Sequence, residues 1–192
     1  MMKNNKLIIF ILTIGVFGIL NTEMGFIGLI PQIAEHFNVS TSTAGWLVSV
    51  FAIGIAISGP IMPLLLSKIE RKKVMIAVLV IFIISNIVSL FTTSFSILLI
   101  ARIIPAIFHP VYIALAFSVA SDSVNSKDAP KAVARVFIGV SAGMVVGVPI
   151  VNFLANQFNL YAALAFFALI NMIVLILTCL LYTSDAADEG LG

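Results

Sequence analysis

Charge is what this sequence has least of. Only 9% of its 192 residues are Asp, Glu, Lys or Arg, whereas 61% are apolar and the mean hydropathy is +1.22. An ordinary water-soluble domain carries about 25% charged residues, so that class is excluded and an integral membrane protein is expected. A single cysteine, Cys179, rules out a disulfide within the chain. No glycine-rich nucleotide loop and no spaced cluster of His, Cys and carboxylates occurs, so neither an enzyme nor a cofactor or metal is expected, and any work must draw on an ion gradient. Strict polar–apolar alternation is also missing, which excludes a transmembrane barrel.

What is present instead is a series of long apolar runs. A hydrocarbon core of roughly 30 Å needs about 20 such residues per helix. Six runs qualify: Leu7 to Ile30, Gly45 to Leu66, Val74 to Leu90, Ser96 to Ala120, Val133 to Ala155 and Leu160 to Leu177. The expected fold is all-α, a six-helix transmembrane bundle. The opening "MMKNNK" resembles the basic region of a signal peptide, but the run after it is too long and contains Glu23, so a retained first helix is expected.

Lys3 and Lys6 precede the first run, Lys68, Arg71, Lys72 and Lys73 separate the second from the third, and Lys127, Lys131 and Arg135 fall around the junction of the fourth and fifth. The other connections carry no Lys or Arg. This bias predicts a multi-pass protein of the cell membrane with both ends of the segment in the cytoplasm. Its expected partners are the lipid bilayer, a small-molecule solute and protons, with no nucleic acid.

Glu23 and Arg102 are the charges that do not fit this scheme. Ionisable groups at membrane depth are costly and mark functional sites or partners. Glu23 lies seven residues before Ile30, where the first helix leaves the membrane, and Arg102 seven after Phe95, near which the fourth enters, roughly 10 Å at 1.5 Å per residue, so the two are expected at one level. His109 lies two turns beyond Arg102 on nearly the same face. An imidazole there either relays protons or bonds a carbonyl freed by Pro105 or Pro110. Ile19 and Phe26 flank Glu23 by one turn and, with Asn21, are candidates to line a solute cavity. Gly15, Gly18, Thr22 and Gly25 form a separate small face suited to close packing. Asn86, Asn152 and Asn171 are further candidates for hydrogen bonds in a cavity or between helices.

The stretch "GVSAGMVVGVPIVN" places Gly139, Gly143 and Gly147 four apart, a smooth face for helix contact, with Pro149 where a bend is expected. Together with "NTEMGFIGLIPQIAEHFNVSTSTAGWLVSVFAIGIAISGP", "ARIIPAIFHPVYIALAFSVAS" and the basic loop "PLLLSKIERKK", it resembles the amino-terminal half of a major facilitator superfamily transporter. The nearest likeness is to the drug–proton antiporter branch, which includes arabinose, purine and chloramphenicol efflux proteins. That resemblance implies a secondary active exporter exchanging protons for a small organic solute such as a drug, sugar or nucleoside. It assigns proton coupling to Glu23 and Arg102, with His109 beside them, and gating to Gly139, Gly143, Gly147 and Pro149. The glycine face would then be matched largely by a carboxy-terminal six-helix half that this chain lacks. In the loop, Lys68, Arg71 and Lys72 match basic positions of the family pattern. Pro63, Ser67 and Glu70 replace its glycine, aspartate and glycine, leaving Glu70 to pair with a neighbouring base. Proton-coupled uptake, or a half-size scaffold acting as a homodimer, are the alternative readings. Finally, "CLLYTSDAADE" resembles a translated sequencing adaptor, so the expected division is a half-transporter over 1–178 and a non-native tail over 179–192.

Overall fold

In the computed structural model, which describes residues 2–189, helix α1 (Met2–His36) runs through the middle of the bundle. The side chains of residues 1–4, Lys3 among them, and of 181–192 lie outside the described residues. There follow α2 (Thr41–Ser58), the short α3 (Met62–Leu65), α4 (Arg71–Phe91), α5 (Phe95–Asp122), α6 (Ala129–Ala142), a π-helical turn (Gly143–Gly147), α7 (Val148–Gln157) and α8 (Leu160–Glu189). Six segments are long and apolar enough to cross a membrane, the fifth being α6, the π turn and α7 in continuity. The described residues are all-helical apart from short connections, and the six expected runs map one to one onto these spans.

The ends are where the apolar runs misled. Helix α1 passes Pro31 and continues to His36, because polar residues at an interface can extend a helix beyond the hydrocarbon. Its stop is local: Asn38 adopts φ 51°, a left-handed conformation that Asn tolerates, and the Val39 N–H returns to the Ala34 carbonyl at 2.9 Å. Two residues on, the Ser40 hydroxyl accepts from the Thr43 N–H at 3.0 Å and starts α2. The second span is a slightly broken helix, as its Gly59–Pro60 pair leads one to expect: α2 ends at Ser58 and the chain turns at Gly59–Ile61 before α3. The stretch expected to be a non-native tail is helical through Glu189, and residues 190–192 lie outside the described residues.

The helices neighbour one another with a hidden order. Exchanging spans one, two and three with four, five and six leaves the pattern of contacts nearly unchanged. Span one packs on five as four packs on two, and span three packs on four as six packs on one. The exception is that spans five and six touch more closely than two and three. Such a relation between two three-helix units is the signature of an inverted repeat.

Basic residues collect at one end of this bundle. There Arg71 meets Asp122 at 2.5 Å, and Lys6, Lys131 and Arg135 border a common cavity. The opposite end is tied by neutral contacts: Gln32 donates to Asn156 at 3.0 Å, His36 lies 3.4 Å from the Tyr161 hydroxyl, and Phe37 packs edge-on against Phe95. The charge asymmetry seen along the sequence is therefore a real asymmetry of the fold.

Candidate functional site

Glu23 of α1 and His109 of α5 meet within the bundle, with the carboxylate Oε2 at 2.9 Å from the imidazole Nε2. Their side chains are 14% and 9% exposed, so the pair is nearly but not wholly enclosed. The His109 ring stands edge-on to Phe51 of α2, with centroids 5.8 Å apart, and is tilted against Phe82 of α4 at 6.5 Å. Neither ring nitrogen makes an aligned hydrogen bond among the described residues, so the 2.9 Å contact is an ion-pair approach of acid and imidazole. An acid and an imidazole this close can exchange a proton once they turn into line, and aromatic walls keep the surroundings poor in competing dipoles.

Arg102 sits at the same level, as the depth count requires, and its hydrogen bonds go to the backbone of α1. Its Nη1 donates to the Thr22 carbonyl at 3.1 Å and its Nη2 to the Glu23 carbonyl at 3.3 Å. The guanidinium is held between the Phe26 and Phe51 rings, 4.1 and 4.0 Å from their centroids. A planar cation suits such a slot, since both faces meet ring quadrupoles while the edge donates in plane. So it is the main chain of α1 that Arg102 grips, while the carboxylate of Glu23 is left to His109.

His109 is free to take that partner because its alternative role is already filled. Pro105 and Pro110 lack the N–H groups that would engage the carbonyls four residues earlier, those of Ala101 and Ala106. Ser85 of α4 donates to Ala101, and Ser58 of α2 donates to Ala106 at 3.4 Å. Two serines thus seal both breaks in α5, and the reading of His109 as a cap for a proline-freed carbonyl is corrected. These serines sit in apolar runs where nothing but a count back from each proline would have flagged them.

Behind the site, Thr22 and Asn171 tie α1 to α8. The Asn171 amide donates to the Thr22 hydroxyl at 2.9 Å and to the Phe167 carbonyl at 2.8 Å, and the Thr22 hydroxyl donates to the Gly18 carbonyl at 3.0 Å. Phe167 stacks on Phe26 at 5.3 Å, which carries the support through to the arginine slot. Gly18 and Gly25 let α8 approach, since an added Cβ would lie 3.3 Å from Asn171 Oδ1 and 2.5 Å from the Phe167 ring.

The candidate cavity residues are placed differently. Ile19, Asn21 and Phe26 are fully buried between helices, so in this conformation none of them borders an opening. Phe26 is occupied by Arg102 and Phe167. Asn21 lies against Gly147, where an added Cβ would strike its side chain.

The glycine face of span five lies against a neighbouring helix. Gly139 abuts the Thr13 carbonyl and Gly143 abuts Leu20 and the Phe17 carbonyl, so within this bundle the smooth face is matched by α1. Small residues at four-residue spacing bring the two backbones together, as in other membrane helix pairs. Pro149 follows the π turn directly and points outward. It removes a donor at the point where the helix has already abandoned the regular bonding pattern, so a π turn stands where a simple bend was expected.

In the basic loop, Glu70 accepts from Lys73 at 2.9 Å, the pairing anticipated for it, and this hydrogen bond and charge hold its carboxyl below the usual carboxylate range. Arg71 reaches across to Asp122 at the end of α5. Lys68 is exposed, and Lys72 lies half-buried in the first turn of α4. No group of three or more His, Cys, Asp or Glu that would hold a metal occurs among the described residues.

Comparison with known proteins agrees with this geometry. The profile of the Major Facilitator Superfamily matches residues 12–191. The chain is 34% identical over 154 residues to the uncharacterized MFS-type transporter YfhI of Bacillus subtilis, covering 80% of this chain and 39% of that protein. It is 34% identical over 145 residues to the inner membrane transport protein YdhP of Escherichia coli, covering 76% of this chain and 37% of that protein. Among solved structures, the proton:xylose symporter XylE superposes with a TM-score of 0.78 at 19% identity, over 94% of this chain and 45% of that one. The chain thus spans less than half the length of these relatives, which are transporters and not enzymes. Six apolar helices, an inverted three-helix repeat and a buried acid–base site are explained together by one conclusion: the chain belongs to the Major Facilitator Superfamily of membrane transporters.

Proposed function

We propose that this chain forms the amino-terminal six-helix half of a proton-coupled antiporter that exports a small organic solute, such as a drug, sugar or nucleoside, across the cell membrane. The basic end of the bundle and both ends of the segment face the cytoplasm in this reading, and a second six-helix half supplies the other wall of a midplane site. The observation that carries it is the Glu23–His109 contact, an acid and an imidazole 2.9 Å apart at membrane depth beside a fixed cation. Holding its proton on Nε2, His109 takes up a second at Nδ1 as the helices part, since Nδ1 is enclosed in this conformation, and the imidazolium then gives its Nε2 proton to the Glu23 carboxylate, leaving the Nδ1–H tautomer. Arg102 keeps the α1 backbone at this level while protonation changes the charge of the side chain. Gly139, Gly143, Gly147 and Pro149 form the element that moves against α1 as the site alternates in access. Ile19, Asn21 and Phe26 position that movement, and reach solute only when the helices part.

The test is transport by the protein in liposomes with an imposed pH gradient. Glu23→Gln is expected to preserve folding and downhill solute exchange while abolishing accumulation driven by protons. His109→Gln is expected to slow the driven flux without removing exchange. Glu23→Gln that still pumps against a gradient as the parent does would refute the assignment. For the orientation, single cysteines at Thr41 and Lys72 in a Cys179→Ser background should react differently with an impermeant thiol reagent in intact cells. Labelling at 72 but not at 41 would invert it.

A further inference from the structure

At the basic end of the bundle a cavity of about 600 Å³ opens between the start of α1, the end of α5 and the start of α6. It lies within the size range of small-molecule sites, about 300–1,000 Å³. Lys6, Lys131 and Arg135 line it, and none of the three makes an ion pair among the described residues. Of the two carboxylates at its edge, Asp122 is engaged by Arg71 at 2.5 Å. Three cations therefore face only Asp128, an excess of two positive charges. The floor is apolar, built from Ile9 and Ala132. The backbone of Arg135 packs closely on α1: its carbonyl lies 3.3 Å from the Thr13 hydroxyl, whose proton goes to the Ile9 carbonyl at 2.7 Å.

We infer that this cavity binds the phosphate headgroup of an anionic phospholipid from the adjoining leaflet. Basic pockets between transmembrane helices at the membrane surface suit phosphate groups, and Ile9 and Ala132 add an apolar contact below the three cations. The cavity is separate from the proton site: Lys6 precedes Glu23 by seventeen residues of α1, roughly 25 Å at 1.5 Å per residue. A lipid here clamps α1 to α6 at the end opposite the His36–Tyr161 contact. The inference does not depend on the direction or coupling of transport.

The test is native mass spectrometry of the full chain purified with dioleoylphosphatidylglycerol or dioleoylphosphatidylcholine, with thermal unfolding in each lipid as a second readout. The phosphatidylglycerol is expected to stay bound and to raise the melting temperature, and the phosphatidylcholine to do neither. Lys6→Gln with Lys131→Gln and Arg135→Gln is expected to lower the retained phosphatidylglycerol by at least tenfold, given about fivefold per cation. Lys68→Gln with Lys127→Gln, which removes charge at the same end but outside the cavity, is expected to leave it unchanged. The triple variant is expected to fold, as shown by an unaltered helical circular dichroism spectrum. Equal retention by parent and triple variant, or equal binding of the two lipids, would overturn the assignment. So would stabilisation by inorganic phosphate with none by phosphatidylglycerol, which would mark a site for a soluble anion.

Discussion

The contact between span five and α1 can be probed one methyl group at a time, because its three glycines face different obstacles. A Cβ at Gly139 would collide with the Thr13 carbonyl and lie 3.2 Å from the Phe17 nitrogen, so everything in its way is main chain. At Gly143 the nearest atoms are Leu20 Cβ at 2.8 Å and the Phe17 carbonyl at 3.1 Å, both rigid with α1. At Gly147 only the Asn21 side chain is met, and that can turn about its own bonds. Replacing Gly by Ala within a helix gains about 1 kcal/mol of intrinsic propensity, while overpacking costs about 1–3 kcal/mol when neighbours must shift. Gly139→Ala should then lose about 1–2 kcal/mol net and Gly143→Ala about 1 kcal/mol, with Gly147→Ala near zero. Reversible unfolding in mixed micelles of increasing SDS fraction, followed by circular dichroism, gives these differences directly. Pairing Gly147→Ala with Asn21→Ala should raise stability above the single variant, whereas no side-chain truncation on α1 should rescue Gly139→Ala. If Gly147→Ala proves the most damaging of the three, or Gly139→Ala is as stable as the parent, the packing described between α1 and span five is wrong.

Ser85→Ala and Ser58→Ala should each cost about 1–3 kcal/mol, the penalty for leaving a buried acceptor unmade, in the same unfolding assay. Restoring the missing donor with Pro110→Ala should make the Ser58 substitution nearly harmless, and an undiminished cost would argue against the carbonyl as its target. Asn171→Leu should lower stability by a similar amount and loosen the arginine slot, read as increased hydrogen exchange at the amides of α1 around Thr22. Glu70 should titrate below the ordinary glutamate value of about 4.3, because Lys73 bonds the charged form. Its contribution to stability is present above the unfolded value and is lost as pH falls through the folded one. Carbon-detected NMR of the Glu70 carboxyl should show that midpoint rising in Lys73→Gln.

The elements were legible because hydrocarbon thickness imposes length, and Glu23 and Arg102 stood out because a charge at that depth is costly enough to be rare. Their common level also followed from counting. The identity of the partner did not: a helix 1.5 Å per residue in rise puts several side chains within reach of a carboxylate, and only the packing of Phe26 and Phe51 on the guanidinium turned Arg102 to the backbone and gave Glu23 to His109. The serines that seal α5 were hidden for a related reason, since Ser58 and Ser85 match their carbonyls across helices separated by 48 and 16 residues. The smooth face of span five was legible as a contact surface, but a sequence pattern carries no label for what it touches.

The π turn at Gly143–Gly147 has a consequence for how this segment tolerates change in length. In an uninterrupted helix, residues eight apart drift about 80° around the axis, which would carry Gly147 off the face that Gly139 occupies. The wider turn takes up that drift, so all three glycines follow one groove of α1, from Thr13 through Phe17 to Asn21. Deleting one residue between 143 and 147 would convert the turn to ordinary helix yet leave Pro149 and Asn152 within about 20° of their present directions, whereas a deletion elsewhere in the span would turn the residues beyond it by about 100°. Alignments of this segment that place a gap by hydropathy alone would lose the phase, whereas a gap penalty that is relaxed within the five-residue turn would keep related chains in phase.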